Sequence, residues 1–226
     1  CGAKGRRFES CRVHQNKNLT EMWGFYFGEL YLFTFYAIIM YMSPFETLRE
    51  HPLFEGAAKV AIEQAELSAV ENGLDIPVGA VALFGASIIG QGYASDGVSG
   101  IKHMHAEMVA LEQALGDRNA PPTTMVSTME PCEDCQDALA KVKSIKQVVF
   151  VTPRSALSRL HLVKDRMSIE ERVARQRHPY RVIQLGNQEL AQRALEPLKY
   201  TTRDLETGIT KVNSAGFRAH IDRRNT

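Results

Sequence analysis

The period of the hydrophobic pattern changes several times along the chain, and each change marks an element. From Phe54 to Asn72 apolar residues recur at helical spacing with alanine between them, and Asn72-Gly73 supplies a stop, which predicts a helix. Two short apolar runs follow, Val78–Phe84 and Ser87–Tyr93, joined around Gly85-Ala86, and they predict a β-hairpin. A helix is expected over Met104–Leu115, then a turn-rich connection over Asp117–Pro122. A buried strand follows over Thr124–Met129, a helix entered through a proline over Cys132–Lys143, and a strand over Lys146–Thr152. The tail continues with a strand at Tyr180–Leu185 and a helix from Gln188 to about Glu196, stopped by Pro197. Between them the arginine-rich, mostly polar Ser158–His178 segment is expected to be partly helical. Beyond Tyr200 the polarity predicts a loose terminus.

The first fifty residues follow a different pattern. Residues 1–21 are polar and basic and read as a poorly ordered arm. Met22–Met42 is 21 residues with Glu29 as its only charge, and it holds half of the chain's aromatics. That length would span a bilayer. Two glycines, a central Glu and many tyrosines favour the other reading, an extra element that covers a core or a subunit interface. Ser43-Pro44-Phe45 and His51-Pro52 punctuate the boundary. The expected division is residues 1–50 as an N-terminal extension with the aromatic-rich segment, 51–200 as the working domain, and 201–226 as a polar C-terminal tail.

Composition adds little beyond an ordinary soluble chain, with 44% hydrophobic and 23% charged residues among 226. The net charge of +1 conceals an asymmetry: residues 51–154 carry 7 basic and 13 acidic groups, and residues 155–226 carry 14 and 8. Two of the four cysteines, Cys1 and Cys11, are too few for a disulfide framework and do not form a second metal motif. A first residue of Cys1 in place of Met is what a partial or processed chain shows. Free thiolates elsewhere predict a reducing, cytoplasmic setting.

Those thiolates lie in the stretch that carries the chemistry, Lys102–Cys135. His105-Ala106-Glu107 is followed by Pro131-Cys132-Glu133-Asp134-Cys135. One imidazole and two thiolates form a three-ligand site for zinc, and three protein ligands leave the fourth tetrahedral position open. Both motifs sit at strand-to-helix junctions, so His105, Cys132 and Cys135 fall at helix N-termini, where free N–H groups favour thiolates. The three-residue step from Cys132 to Cys135 keeps both sulfurs on one helix face. Glu107, in the first turn of the other helix, is placed to act on water beside the metal. The alternative is a closed structural site with His103 as a fourth ligand, a poor geometry because His103 stands two residues from His105.

H-x-E…P-C-x-x-C is the signature of zinc deaminases. On these residues, with Pro77-Val78-Gly79-Ala80-Val81 and Thr128-Met129-Glu130-Pro131-Cys132, the chain resembles the cytidine deaminase superfamily over roughly Phe54–Thr152. Within it the chain is most similar to the tRNA adenosine, guanine and cytosine deaminase branch. The resemblance implies an α/β fold, a three-layer α/β/α sandwich with a mixed five-stranded sheet, here with N- and C-terminal extensions. It implies hydrolytic deamination: zinc-activated water attacks the amino-bearing ring carbon, Glu107 shuttles the proton and ammonia leaves. It further implies a homo-oligomer, and backbone groups near Ala106 and Pro131 that bind the reacting edge of the base. His103 is expected at the pocket rim or on the surface.

Several positions depart from that branch. Ala94 falls where relatives carry a substrate-contacting Asn, Ile101-Lys102 replaces an Asp-Pro pair, and Glu133-Asp134 stands between the cysteines where apolar residues are usual. An acidic pair at the pocket mouth would repel phosphate, so the expected substrate is a small base or nucleoside, with no membrane partner. The alternative is a base in RNA or single-stranded DNA, tracked by Arg172, Arg175, Arg177 and Arg181 in the basic tail. A third reading is a non-catalytic deaminase-fold subunit, which the intact Glu107 argues against.

Overall fold

The computed structural model describes residues 45–48, 51–71, 75–95, 104–117, 119–163, 180–207 and 209–226. The arm, the Met22–Met42 segment, Ile101-Lys102, His103, Arg172, Arg175 and Arg177 lie outside the described residues.

The elements in order are β1 (Phe45–Leu48), α1 (Pro52–Glu71), β2 (Gly79–Phe84), β3 (Ser87–Tyr93), α2 (Ala106–Leu115), β4 (Thr124–Met129), α3 (Glu133–Lys141) and β5 (Gln147–Thr152). The short α4 (Ser155–Arg159) follows, then β6 (Arg181–Leu185), α5 (Gln188–Leu195), a 3₁₀ turn (Pro197–Tyr200), β7 (Thr201–Arg203), β8 (Thr210–Val212) and α6 (Ser214–Asn225). The main sheet has the order β1-β6-β5-β4-β2-β3. Its β1, β6, β5 and β4 run parallel, while β2 is antiparallel to both β4 and β3.

Alternation along the strands builds the three layers. Ala80, Ala82, Met125, Val148, Phe150 and Val182 face one side and pack with Ala106, Ala110 and Leu111 of α2 and Leu139 of α3. Their neighbours Val81, Leu83, Val126, Val149 and Ile183 face the other side, against Phe54, Ala58 and Ile62 of α1 and Leu190 of α5. Every residue of β4 is buried, as expected for a central strand covered on both faces.

The helices press closely on the sheet because the contact positions are small. A Cβ at Gly90 would meet the Ala110 carbonyl oxygen at 2.2 Å and the Ala114 nitrogen at 2.9 Å. Gly90→Ala therefore costs about 1–3 kcal/mol of overpacking. Gly56 on α1 has nothing within 4 Å of such a Cβ, and Gly56→Ala gains about 0.5–1 kcal/mol of helix propensity. Thermal melts of the two variants should move in opposite directions, and a Gly90→Ala melt at or above the parent's would contradict this packing.

The sheet has six strands, one more than the five expected. The extra strand is β1, which lies in the segment read as punctuation. Four residues after a proline carry no periodicity to detect, and β1 becomes a strand only by pairing, Phe45 opposite Val182 through Leu48 opposite Leu185. His51-Pro52 likewise is a helix start and not a mere break. Pro52 occupies the first helical position, and His51 Nδ1 accepts from the Phe54 amide at 3.4 Å. The turn of the β2–β3 hairpin falls at Gly85, with φ of 59°, in the left-handed region open to glycine.

The larger difference lies beyond Tyr200. In place of a loose terminus, β7 and β8 form a two-stranded hairpin and α6 packs on α1. Phe217 of α6 is fully buried against Tyr200, with ring centroids 5.4 Å apart. Asn213 caps the helix, its Oδ1 accepting from the Gly216 amide at 3.0 Å. An ion-paired carboxylate adds a second anchor. Glu66 of α1 accepts two bonds from Arg193 of α5 at 3.0 and 3.1 Å, and two from Arg224 of α6 at 2.9 and 3.3 Å.

Burial alone would push the Glu66 carboxyl up, but the hydrogen bonds and charges of Arg193 and Arg224 outweigh it and hold the carboxyl below its ordinary 4.5. A depressed folded pKa means that the contribution to stability is present above about pH 4.5. It is lost as pH falls through the lowered folded value. The arginine heads are partly solvated, so the network is worth ~1–2 kcal/mol. Protection of the α6 amides, measured against the intrinsic exchange rate at each pH, should fall below pH 4.5 in the parent, and Glu66→Gln should show reduced protection already at pH 7. A flat pH profile in the parent would remove the network from this role.

Candidate active site

The end of β4 and the break before α2 bring the two sequence motifs together. His105 and Cys132 occupy the N-cap positions of α2 and α3, both with extended backbone, and neither side chain caps its own helix. N-cap side chains ordinarily accept from the first-turn amides. These two turn toward one another instead. His105 Nδ1 lies 3.2 Å from Cys135 Sγ and 3.3 Å from Cys132 Sγ, and one ligand atom from each of the three residues falls within 4.8 Å of the others. An imidazole nitrogen with two sulfurs at this spacing suits zinc, and the trio is able to hold it.

Glu107 stands against this cluster from the first turn of α2. It is 3% exposed. Ser127 Oγ donates to its Oε1 at 2.8 Å, and the Cys135 thiol lies 3.5 Å from its Oε2. Burial pushes the Glu107 carboxyl up and the negative charge of Cys132 adds to this. Its own backbone amide, the Ser127 hydroxyl and the charge of His105 pull the other way without prevailing. The two sulfurs share one proton: the hydrogen bond from Cys135 draws the Cys132 thiol down to about 4, and the same bond holds the Cys135 thiol up.

The cysteine loop is braced from behind. Gln136 Nε2 donates to the Pro131 carbonyl at 2.7 Å, and the Tyr180 hydroxyl donates to the Gln136 carbonyl at 3.1 Å. The buried Glu130 carboxylate accepts from the Arg154 amide at 2.9 Å. In front of the cluster opens a cleft of about 680 Å³, lined among others by Ala94, Ala106, Glu107, Arg154, Leu157 and Arg203.

Residues 55–152 match the family described as the cytidine and deoxycytidylate deaminase zinc-binding region. The tRNA-specific adenosine deaminase of Buchnera aphidicola subsp. Schizaphis graminum is 30% identical over 128 residues, covering 52% of this chain and 83% of that protein. The chain belongs to the cytidine and deoxycytidylate deaminase family. Within it, the chain lies near the tRNA adenosine deaminase branch, and zinc is the family's metal. The tRNA-specific adenosine deaminase of Streptococcus pyogenes serotype M18 is 33% identical over 93 residues, 40% of this chain and 57% of that protein. Among solved structures, a mutant of NE0047 in complex with 8-azaguanine superposes with a TM-score of 0.52 at 18% identity, covering 63% of this chain and 84% of that one. At that identity the match speaks for the deaminase fold alone.

The structure brings His105, Glu107, Cys132 and Cys135 together, with Ala94 and Ala106 on the cleft wall of the deaminase core. Pro131 is buried behind the site, its carbonyl engaged by Gln136. Glu133 and Asp134 are exposed in the first turn of α3, directly after Cys132 of the cleft wall, and neither lines the cavity itself. Ser127 escaped the sequence reading, although strand alternation places it two residues from Met125, on the face that carries α2. Arg203 and Thr210, from the tail, had no local signal at all.

Among the described residues no helix is long and apolar enough to cross a membrane.

Proposed function

We propose that the chain is a zinc-dependent hydrolytic deaminase of a nucleobase or nucleoside, with Glu107 as the proton carrier. The observation that supports this most is the buried Glu107 carboxylate, held by Ser127 and set beside three metal ligands at the floor of an open cleft. A structural zinc site needs no carboxylate that withholds itself from the metal, and it normally closes with a fourth ligand.

Bound by His105, Cys132 and Cys135, zinc supplies the Lewis acidity that brings the pKa of water from about 15.7 toward 7. Glu107 takes the proton of the attacking water and hands it to the ring nitrogen next to the amino-bearing carbon. It then moves the second proton of that water, left on the added hydroxyl, to the departing amine, so that ammonia leaves and a carbonyl remains. Ser127 keeps the carboxylate aimed, and the Gln136–Tyr180 brace fixes the backbone that carries Cys132 and Cys135. Residues 51–200 carry this chemistry, and the 201–226 segment adds a wall to the cleft.

A base within tRNA is the second reading, favoured by the named activity of the relatives in Buchnera and Streptococcus. Ammonia release by zinc-loaded protein over free bases, nucleosides, mononucleotides, tRNA and single-stranded DNA decides between them. Turnover confined to tRNA would replace the small-substrate reading. Silence across the whole panel would leave the non-catalytic one.

A further inference from the structure

His105 and Cys132 each begin a helix without capping it, so the main chain on either side must hold them in place. A ligand atom is placed by the φ and ψ of its own residue, and those are set once the rigid peptides before and after it are held. At His105 the main chain holds both. The Met104 carbonyl accepts from the Ser95 amide at 2.9 Å, and the His105 carbonyl from the Val109 amide at 3.0 Å. At Cys132 the following peptide is held in the same way, its carbonyl accepting from the Gln136 amide at 2.9 Å. The preceding peptide is held by a side chain, Gln136 Nε2 donating to the Pro131 carbonyl at 2.7 Å. One residue thus grips both peptides that flank the ligand. Tyr180, at the entry to β6, anchors it through the hydroxyl bond to the Gln136 carbonyl.

We infer that Gln136 is a positioning residue for the metal centre, holding the Cys132 backbone at φ −68° and ψ 169° so that its sulfur meets zinc together with His105 and Cys135. This role rests on the zinc centre of the deaminase proposed above and deepens it, whichever substrate the cleft takes. Gln136 is a costly residue for its place. It is 5% exposed, and its Oε1 has no hydrogen-bond partner among the described residues. A buried oxygen without a donor costs free energy that an apolar side chain of the same size would not. A helix that only needed this position filled would be better served by methionine or leucine. The satisfied half of the amide is the half that reaches the cysteine loop, and that asymmetry separates two quantities, the stability of the metal-free fold and the affinity for metal.

The test measures both on the full chain. Zinc affinity is read by competition with a chromophoric chelator, and ligand geometry by the absorption bands of the cobalt(II)-substituted protein. Gln136→Met keeps the length of glutamine and removes the donor. It should bind zinc roughly 10–100-fold more weakly than the parent, the usual effect of losing a group that orients a metal ligand, and its cobalt bands should shift. Its metal-free form should melt at or above the parent's temperature, because the unpartnered Oε1 is gone. Gln136→Leu repeats the measurement with a different shape in case the first variant does not fold. Tyr180→Phe keeps the Gln136 side chain and drops its anchor, and should lose a smaller part of the affinity. Glu66→Gln, on the opposite face of the sheet, is the control: its melt should fall while zinc affinity and cobalt bands stay at the parent's. Parental zinc affinity and cobalt bands in the Gln136 variants overturn the inference. A metal-free melt that falls along with the affinity overturns it too, since Gln136 would then serve the fold at large, as does failure of both variants to fold. Ammonia release by the parent is scored separately. Weakened zinc binding in the variants of a parent that releases no ammonia would refute the deaminase reading and spare the positioning role. A parent that deaminates, with variants that bind zinc as it does, would do the reverse.

Discussion

Replacing Glu107 with glutamine should leave one zinc bound per chain and lower kcat by roughly 10²–10⁴-fold, the usual worth of a positioned acid–base group. Glutamine keeps the shape and can still accept from Ser127 Oγ, which lies 2.8 Å from Glu107 Oε1, so packing is conserved while the exchangeable proton is lost. KM should change little, because the carboxylate acts on the moving proton more than on the resting substrate. Ser127→Ala should give a smaller loss, since it frees the carboxylate without removing it. Metal analysis alongside the kinetics separates chemistry from assembly. A Glu107→Gln protein that turns over at the parent rate with zinc in place would remove Glu107 from the mechanism. Loss of zinc in the same variant would instead make the residue a structural part of the metal site.

How much of this could be read from residues alone depended on how local each signal was. The α1–β2–β3–α2–β4–α3–β5 core announced itself through period changes that the sheet and helix faces reproduce, Ala80 and Ala82 on one side of β2 and Val81 and Leu83 on the other. The metal ligands were legible because the chemistry requires fixed residue types at fixed spacing. What failed was non-local. Phe45–Leu48 is a strand only because β6 leaves a parallel edge for it. The tail reads as polar because its burial rests on one aromatic, Phe217, and on Arg224 reaching Glu66 across 158 positions of sequence. The same distance hid Arg203, whose place at the cleft follows from the docking of a hairpin and from no pattern around it.

Stripping the metal should loosen the whole centre of the molecule and not the catalytic water alone. The two helices that flank the cleft begin at His105 and Cys132, and both residues forgo the capping bond that would otherwise secure a helix start. Their side chains are committed to the cluster, His105 Nδ1 lying 3.2 Å from Cys135 Sγ and 3.3 Å from Cys132 Sγ, so zinc binding closes both starts at once and its free energy appears as folding free energy. At a thousandfold excess over the dissociation constant a ligand contributes about 4 kcal/mol. For a domain of this size each kcal/mol moves Tm by about 2–4 °C. Chelation should therefore lower Tm by roughly 8–16 °C, with amide exchange rising first in α2 and α3. Cys135→Ser should melt near the chelated parent and should not recover when zinc is added back, whereas the chelated parent should. Equal melting with and without chelator would show that the helix starts hold without metal. A Cys135→Ser protein that keeps full zinc would place the site on other ligands, and His103 would be the first of them to replace.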